Sequence, residues 1–290
     1  MAKKNFKVLN PRLDPNFKGI FTQKTKESNN ALKSFLTAAI GRKVERVTVA
    51  ENEEPKNYFN QRGLSYDINC FFDDGTKAQI EMQGYDWDYD YGKRAEYYAS
   101  RLISTALEIG EDWDKVPQAY QISVLNFRHD KSNENPIHHY TMIDPTDNAK
   151  LTDRLNVIFI ELPKIPEIDE NCDIKNLPSI VKWCKFLIEA DNPEKRDLIA
   201  RIAESEEGIM SAETTLDSIS KDAWRWIIQG QIEGRERDIR SGIHAAERRG
   251  LAKGEHKKAI EIARNFLKMG LPREQVAQGV GLTLEELNSL

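Results

Sequence analysis

Two alternating runs of apolar and polar residues, 64–72 (LSYDINCFF) and 77–83 (KAQIEMQ), flank Asp73-Asp74-Gly75. Alternation on both sides of a short acidic turn that contains glycine predicts a β-hairpin. Residues 31–40 (ALKSFLTAAI) carry apolar side chains at helical spacing and stop at Gly41, which predicts a helix with a glycine cap. Upstream, Asp14-Pro15 opens residues 14–21 with a cap residue and a first-turn proline, both helix-start signals. Residues 44–49 (VERVTV) read as a short strand, and residues 93–109 as a helix with Ala95, Tyr98, Leu102, Ala106 and Ile109 on one face. Further strands are expected at 119–127 (AYQISVLNF) and 155–162 (LNVIFIEL). Short strands separated by a clear helix predict a mixed α/β or α+β domain over residues 1–165.

Beyond it, residues 163–176 (PKIPEIDENCDIKN) are rich in proline and acid and read as a linker. Helices are expected at 179–191, 193–204 and 221–229, so residues 166–229 form a linker and helical region. Residues 230–254 are charged and punctuated by Gly230, Gly234, Gly242, Gly250 and Gly254, the pattern of a weak, exposed helix. The chain closes in three short helices with turns at Leu271-Pro272 and Leu282-Thr283. That spacing allows a helix-turn-helix. Glu285 and Glu286 would repel phosphates, so this last stretch, residues 257–290, reads as a small interaction or dimerisation module in preference to a DNA reader. Residues 230–290 together are a charged glycine-punctuated helix and a small C-terminal helical module, and a homo-oligomer through the C-terminal helices is one option.

Composition narrows the classes. The 290 residues are 39% hydrophobic and 31% charged, with a net charge of -5. No stretch approaches the roughly 20 apolar residues of a membrane span, and the N-terminus has no apolar core of a secretory signal. Three widely spaced cysteines, Cys70, Cys172 and Cys184, suit a reducing cytoplasm better than disulfides or a zinc site. The charge is uneven. Residues 1–50 hold eight Lys and three Arg against Asp14, Glu27 and Glu45, which leaves the remaining chain strongly acidic. A basic end on an acidic protein points to a polyanion such as DNA, or to a solvated, frayed N-terminus.

The hairpin carries the candidate chemistry. On its first strand Asp67 shares a face with Ser65, Asn69 and Phe71; on the second, Glu81 shares one with Gln79 and Gln83. A two-residue turn would set Asp67 against Met82. A three-residue loop with Gly75 left-handed pairs Phe72 with Thr76, hence Asp67 with Glu81, and keeps the apolar residues on one side. Opposed side chains have Cβ atoms roughly 4.5–5.5 Å apart, where two carboxylates repel unless a proton or cation lies between them. A hard cation such as Mg2+, often held by one or two carboxylates and several waters, fits. It could bind a phosphate oxygen and help generate a hydroxide nucleophile. Gln83 could orient a water but not deprotonate one. Polar residues on an exposed sheet face would give the same pattern.

Asp67 followed by Glu81-Met82-Gln83 on the next strand resembles the PD-(D/E)XK (restriction-endonuclease-like) nuclease core in its Glu-x-Gln variant. More specifically, the chain is similar to the recombination-promoting nuclease (transposase) family over nearly its whole length. The resemblance rests on Asp14-x-x-Phe17-Lys18-x-x-Phe21, the Asp67 and Glu81-Met82-Gln83 pair, Arg94-x-x-Tyr97-Tyr98, Glu161-Leu162-Pro163-Lys164, and the glycine-punctuated tail ending Gly281-Leu282-Thr283-x-Glu285-Glu286. It implies a mixed sheet flanked by helices, with an all-α C-terminal region, and a Mg2+-dependent DNA endonuclease with Asp67 and Glu81 as metal ligands. Gln83 stands where the wider superfamily usually has lysine, which leaves open what activates the water. It also leaves open a catalytically inactive DNA-binding or assembly protein on the same fold.

Asp14 matches an acidic position near such sites and is either a further ligand or an N-cap. Lys18 contacts phosphate or is solvated; Arg94 could clamp phosphate; Tyr97 and Tyr98 read as core packing. His129 and the pair His138-His139 read as surface loop, Trp224 and Trp226 as packing residues, and residues 86–91 (DWDYDY) as an exposed linker.

Overall fold

The computed structural model describes residues 7–50, 53–54, 64–65, 67–86, 90–104, 106–107, 109–168 and 172–289. The elements run α1 (Asp14–Phe21), α2 (Lys26–Ile40), β1 (Val47–Val49), β2 (Glu53–Glu54), β3 (Leu64–Ser65), β4 (Ile68–Phe72), β5 (Lys77–Gln83), α3 (Tyr91–Ser104), β6 (Ala119–Leu125), β7 (Ile137–Thr141) and β8 (Leu155–Glu161). The helices α4 (Ser179–Glu189), α5 (Arg196–Ser205), α6 (Glu207–Ile219), α7 (Ala223–Lys268), α8 (Arg273–Val280) and α9 (Leu284–Asn288) follow.

Six strands form one sheet in the order β1-β4-β5-β6-β8-β7, and β2 pairs β3 separately. β5, β6 and β8 are mutually parallel, while the remaining pairs are antiparallel. α3 is the crossover that parallel pairing of β5 with β6 requires. Strands covered on both faces read as continuous apolar runs, and β6 is buried at every position. On one face Ile68, Ile80, Ile122 and Ile158 pack under Phe17 and Ile20 of α1 and Phe35 of α2. On the other, Phe159 packs against Tyr91 and Ala95 of α3. The expected mixed sheet flanked by helices, followed by a helical C-terminal region, is therefore present.

The helices after the sheet belong to the same core. Phe21, Phe35, Trp183 and Phe186 form a chain of ring contacts at 5.4–6.0 Å that joins α1 and α2 to α4, and Trp183 donates its indole N–H to Ser34 Oγ at 3.1 Å. Gly208 lets α6 approach α2 closely: a Cβ at this position would lie 2.0 Å from the Ser34 Cβ. Residues 163–176, expected as a linker, instead bury Ile165, Ile168 and Ile174 in this core. Isolated isoleucines among prolines and acids show no period, so the sequence pattern hides their anchoring role. Residues 1–229 form one compact unit.

Several local expectations shift. α3 ends at Ser104, short of the expected 109, with Ile109 fully exposed and Gly110 at φ +90°. His138 and His139 lie on the edge strand β7 and not on a loop; the His139 Nε2 is 2.9 Å from Asn156 Oδ1. Trp226 packs and donates to the Ser220 carbonyl at 2.8 Å, while Trp224 is exposed.

Residues 230–290 form a second unit. Its α7 segment is exposed almost throughout 241–258. Its core joins Ala263 of α7 to Val276 and Ala277 of α8, Leu282, and Leu287 of α9. Gly281 ends α8 in the left-handed conformation, and Thr283 with Glu286 forms a capping box at α9. Glu286 is thus spent on the helix start.

Candidate active site

The β4–β5 hairpin adopts the three-residue loop. The Phe72 N–H donates to the Thr76 carbonyl at 2.8 Å, the Gly75 N–H to the Phe72 carbonyl at 3.0 Å, and Gly75 sits at φ +80°. Only glycine takes that conformation at no steric cost. The ladder pairs Ile68 with Ile80, Asn69 with Gln79 and Cys70 with Ala78. One further step in the same register sets Asp67, just ahead of β4, opposite Glu81. Asp67 Oδ2 accepts the Met82 backbone N–H at 2.8 Å, which ties this carboxylate to the residue beside Glu81.

The polar face of β5 is not exposed. Gln79 and Glu81 are buried, and α3 closes over Glu81 with Tyr91 and Arg94. Tyr91, the first residue of α3, points its hydroxyl at Glu81 Oε2 (3.1 Å) and Ser123 Oγ (3.0 Å), and the Gln121 amide donates to Ser123 Oγ at 2.8 Å. One helical turn later Arg94 reaches both Glu81 oxygens, with Nη2 at 3.2 and 3.1 Å. Its guanidinium lies over the rings of Tyr98 (5.1 Å) and Tyr91 (5.8 Å).

From the other side of the sheet α1 contributes Asp14 and Lys18, one turn apart. Lys18 Nζ lies 3.0 Å from Asp14 Oδ1 and 3.2 Å from Asp67 Oδ1. Side-chain exposure runs from 3% for Glu81 through 20% for Asp67 and 30% for Lys18 to 48% for Asp14. Among the described residues, three carboxylates and two cationic side chains converge here.

The electrostatics follow from this crowding. Burial, then the neighbouring Asp14, pushes the Asp67 carboxyl up to about 7, against the opposing pull of Lys18 and the Met82 N–H. Burial also raises Glu81 above the usual carboxylate range, with Arg94 and Tyr91 acting against it. Burial alone would lower Lys18, but Asp67 and Asp14 outweigh it and raise it, so its ammonium stays charged. Burial and the Glu81 charge raise the Tyr91 phenol, which stays protonated as a donor.

The site residues read from the sequence are thus placed as follows. Asp67 lies one residue ahead of the β4–β5 ladder and reaches the Met82 N–H beside Glu81. Asp14 is not an N-cap, since that position is Leu13 and Asp14 is the first helical residue; it enters the site through Lys18. Lys18 is partly exposed and held between two carboxylates. Arg94 is paired with Glu81. Gln83 donates its amide N–H to the Tyr85 carbonyl at 3.1 Å. Tyr97 is exposed and Tyr98 lies at the Arg94 guanidinium, so neither is a core residue. Of the 86–91 run, Trp87, Asp88 and Tyr89 lie outside the described residues. Sequence reasoning missed Tyr91, Ser123 and Gln121. The signal for Tyr91 was its i,i+3 spacing to Arg94, which puts both on one helical face.

No group of three or more His, Cys, Asp or Glu side chains among the described residues is arranged to hold a metal. The donor set still fits a hard cation: two carboxylates from neighbouring strands, with acid in excess around them, match an ion that keeps most of its waters.

The family described as PD-(D/E)XK nuclease family transposase matches residues 11–246 of the chain. No curated protein and no solved structure matches it. No helix among the described residues is long and apolar enough to cross a membrane.

Proposed function

Because the chain belongs to the PD-(D/E)XK nuclease family transposases, we propose that it is a Mg2+-dependent DNA endonuclease that hydrolyses phosphodiester bonds in recombination or transposition. The observation that carries this reading is the Asp67 carboxylate just ahead of β4, bound to the Met82 N–H next to the buried Glu81. Two carboxylates this buried are costly unless a cation compensates them. Asp67 and Glu81 would hold the Mg2+. The bound ion would supply polarisation of the scissile phosphate and acidification of a water.

The chain's own residues do the rest. Tyr91 and Arg94 fix the rotamer of Glu81, and the Met82 N–H fixes that of Asp67. The ammonium of Lys18 and the guanidinium of Arg94 offer charge to the DNA phosphate, and the basic first 50 residues add affinity. Asp14 holds Lys18 in place and could serve as a further ligand. The Gln83 amide, anchored through its N–H, is left to orient a water with its oxygen. Three free cysteines, two of them buried thiols pushed up to about 12 by burial, suit the cytoplasm. The second unit is the candidate for self-association.

A second reading is favoured by one observation. The Gln83 amide turns to the Tyr85 carbonyl where a cleaving site would place a cation, so the protein could bind DNA or assemble without cutting it. Supercoiled plasmid incubated with purified protein, with Mg2+ or with EDTA, separates the two. Nicking that needs Mg2+ and is lost in the Asp67→Ala variant supports the nuclease. Equal cleavage by variant and wild type refutes the site, and binding without cleavage favours the second reading.

A further inference from the structure

We propose that Lys18 is a displaceable counter-ion of Asp67 that couples divalent-cation binding at this site to phosphate binding. The inference rests on the reading of Asp67 and Glu81 as a cation site. Lys18 lies between Asp14 Oδ1 and Asp67 Oδ1, at 3.0 and 3.2 Å. Its helix is anchored, because the neighbouring Phe17, Ile20 and Phe21 are fully buried. Asp67 Oδ1 carries the ammonium while Oδ2 takes the Met82 N–H, so a cation approaching Oδ1 meets the ammonium in competition. A divalent ion carries twice the charge of the ammonium, and the two repel if they share one oxygen.

Lys18 has somewhere to go. Asp14, its i,i+4 partner, is half exposed, and the four-carbon stem lets the ammonium swing while the helix stays in place. Once off Asp67, the ammonium stands beside the bound ion, where a phosphate would arrive. Without the ion, the same ammonium is consumed by carboxylates and an approaching phosphate meets Asp14, Asp67 and Glu81. Arg94 is held differently: its guanidinium is packed on two tyrosine rings, which makes it the fixed charge and Lys18 the mobile one. Such coupling is reciprocal, so DNA must also tighten cation binding by the same factor.

The test uses the full chain, Ca2+ as a hard oxygen-seeking probe, and a short DNA duplex at fixed ionic strength. Wild type is expected to bind DNA about tenfold tighter with Ca2+ than with EDTA, within the usual range of coupling between sites. Its slope of log affinity against log salt should steepen by about 0.9 for one recruited phosphate. In Lys18→Met, the gain in DNA affinity on adding Ca2+ should shrink to the part the ion supplies by itself, without the extra salt slope, yet Ca2+ alone, titrated by calorimetry, should bind more tightly than to wild type because its competitor is gone. Lys18→Arg, which keeps the charge, should keep the coupling. A Lys18→Met chain that retains the wild-type response to Ca2+, or binds Ca2+ more weakly, overturns the proposal, as does loss of coupling in both variants. Wild type that takes up no Ca2+ overturns the cation-site reading along with it, whereas wild type that takes up Ca2+ while Lys18→Met behaves identically overturns the Lys18 proposal alone.

Discussion

Asp67 should cost the metal-free protein stability, and Asp67→Asn should recover it. Burial and Asp14 raise this carboxyl from 3.8 to about 7 in the folded chain. An acid whose folded value lies above its unfolded value binds more protons when folded, so folding stability falls as pH rises between those two values. At 1.36 kcal/mol per pH unit, the penalty reaches about 4 kcal/mol as a ceiling once pH exceeds 7. The Asn side chain is nearly isosteric, and its oxygen can still accept the Met82 N–H that Asp67 Oδ2 accepts now. It removes the charge without opening a cavity. We expect Asp67→Asn to be more stable than wild type by about 2 kcal/mol or more at pH 8 in EDTA, and about equal to it at pH 4. Denaturant unfolding across that range measures both arms. Added Mg2+ should stabilise wild type at pH 8 and leave the variant unchanged, since only a carboxylate repays the cation. A variant less stable than wild type at pH 8 without metal would show that Asp67 is adequately compensated by Lys18 and that no cation is called for.

Two further substitutions test the scaffold. Gly208→Ala places a Cβ 2.0 Å from the Ser34 Cβ and should lower stability by roughly 1–3 kcal/mol, the usual cost of overpacking; an unchanged melting temperature would mean that α6 and α2 do not approach as described. Lys164→Met strips the buried Glu161 of a partner 2.8 Å away, in a pair whose side chains are both fully buried, and should cost about 3–5 kcal/mol in chemical denaturation; a loss under 1 kcal/mol would place that pair in water.

The hairpin was legible because its register needs only alternation and one glycine: once Gly75 is left-handed and Phe72 faces Thr76, the partner of every residue follows. Its environment was not legible. Alternation in residues 77–83 assigns Gln79, Glu81 and Gln83 to one polar face, yet two of them are buried, Glu81 under Tyr91 and Arg94 of α3. Alternation cannot distinguish water from a helix that brings its own polar groups. The Lys18–Asp67 contact joins residues far apart in the chain, and nothing local to either side chain announces it. Residues 163–176 misled for the opposite reason, since Ile165, Ile168 and Ile174 fill the core without any helical or strand period. β7 carries His138-His139-Tyr140, a polar triplet whose strand role depends on the edge position beside β8.

The proposed chemistry requires Asp67 and Glu81 to hold one hard cation between them. Crystals grown without metal and then soaked in Mn2+ would test it most directly, through the anomalous signal of the ion. One peak is expected within coordination distance of Asp67 and Glu81, with Lys18 Nζ moved off Asp67. A site without signal there, or a cation held elsewhere on the chain, would contradict it.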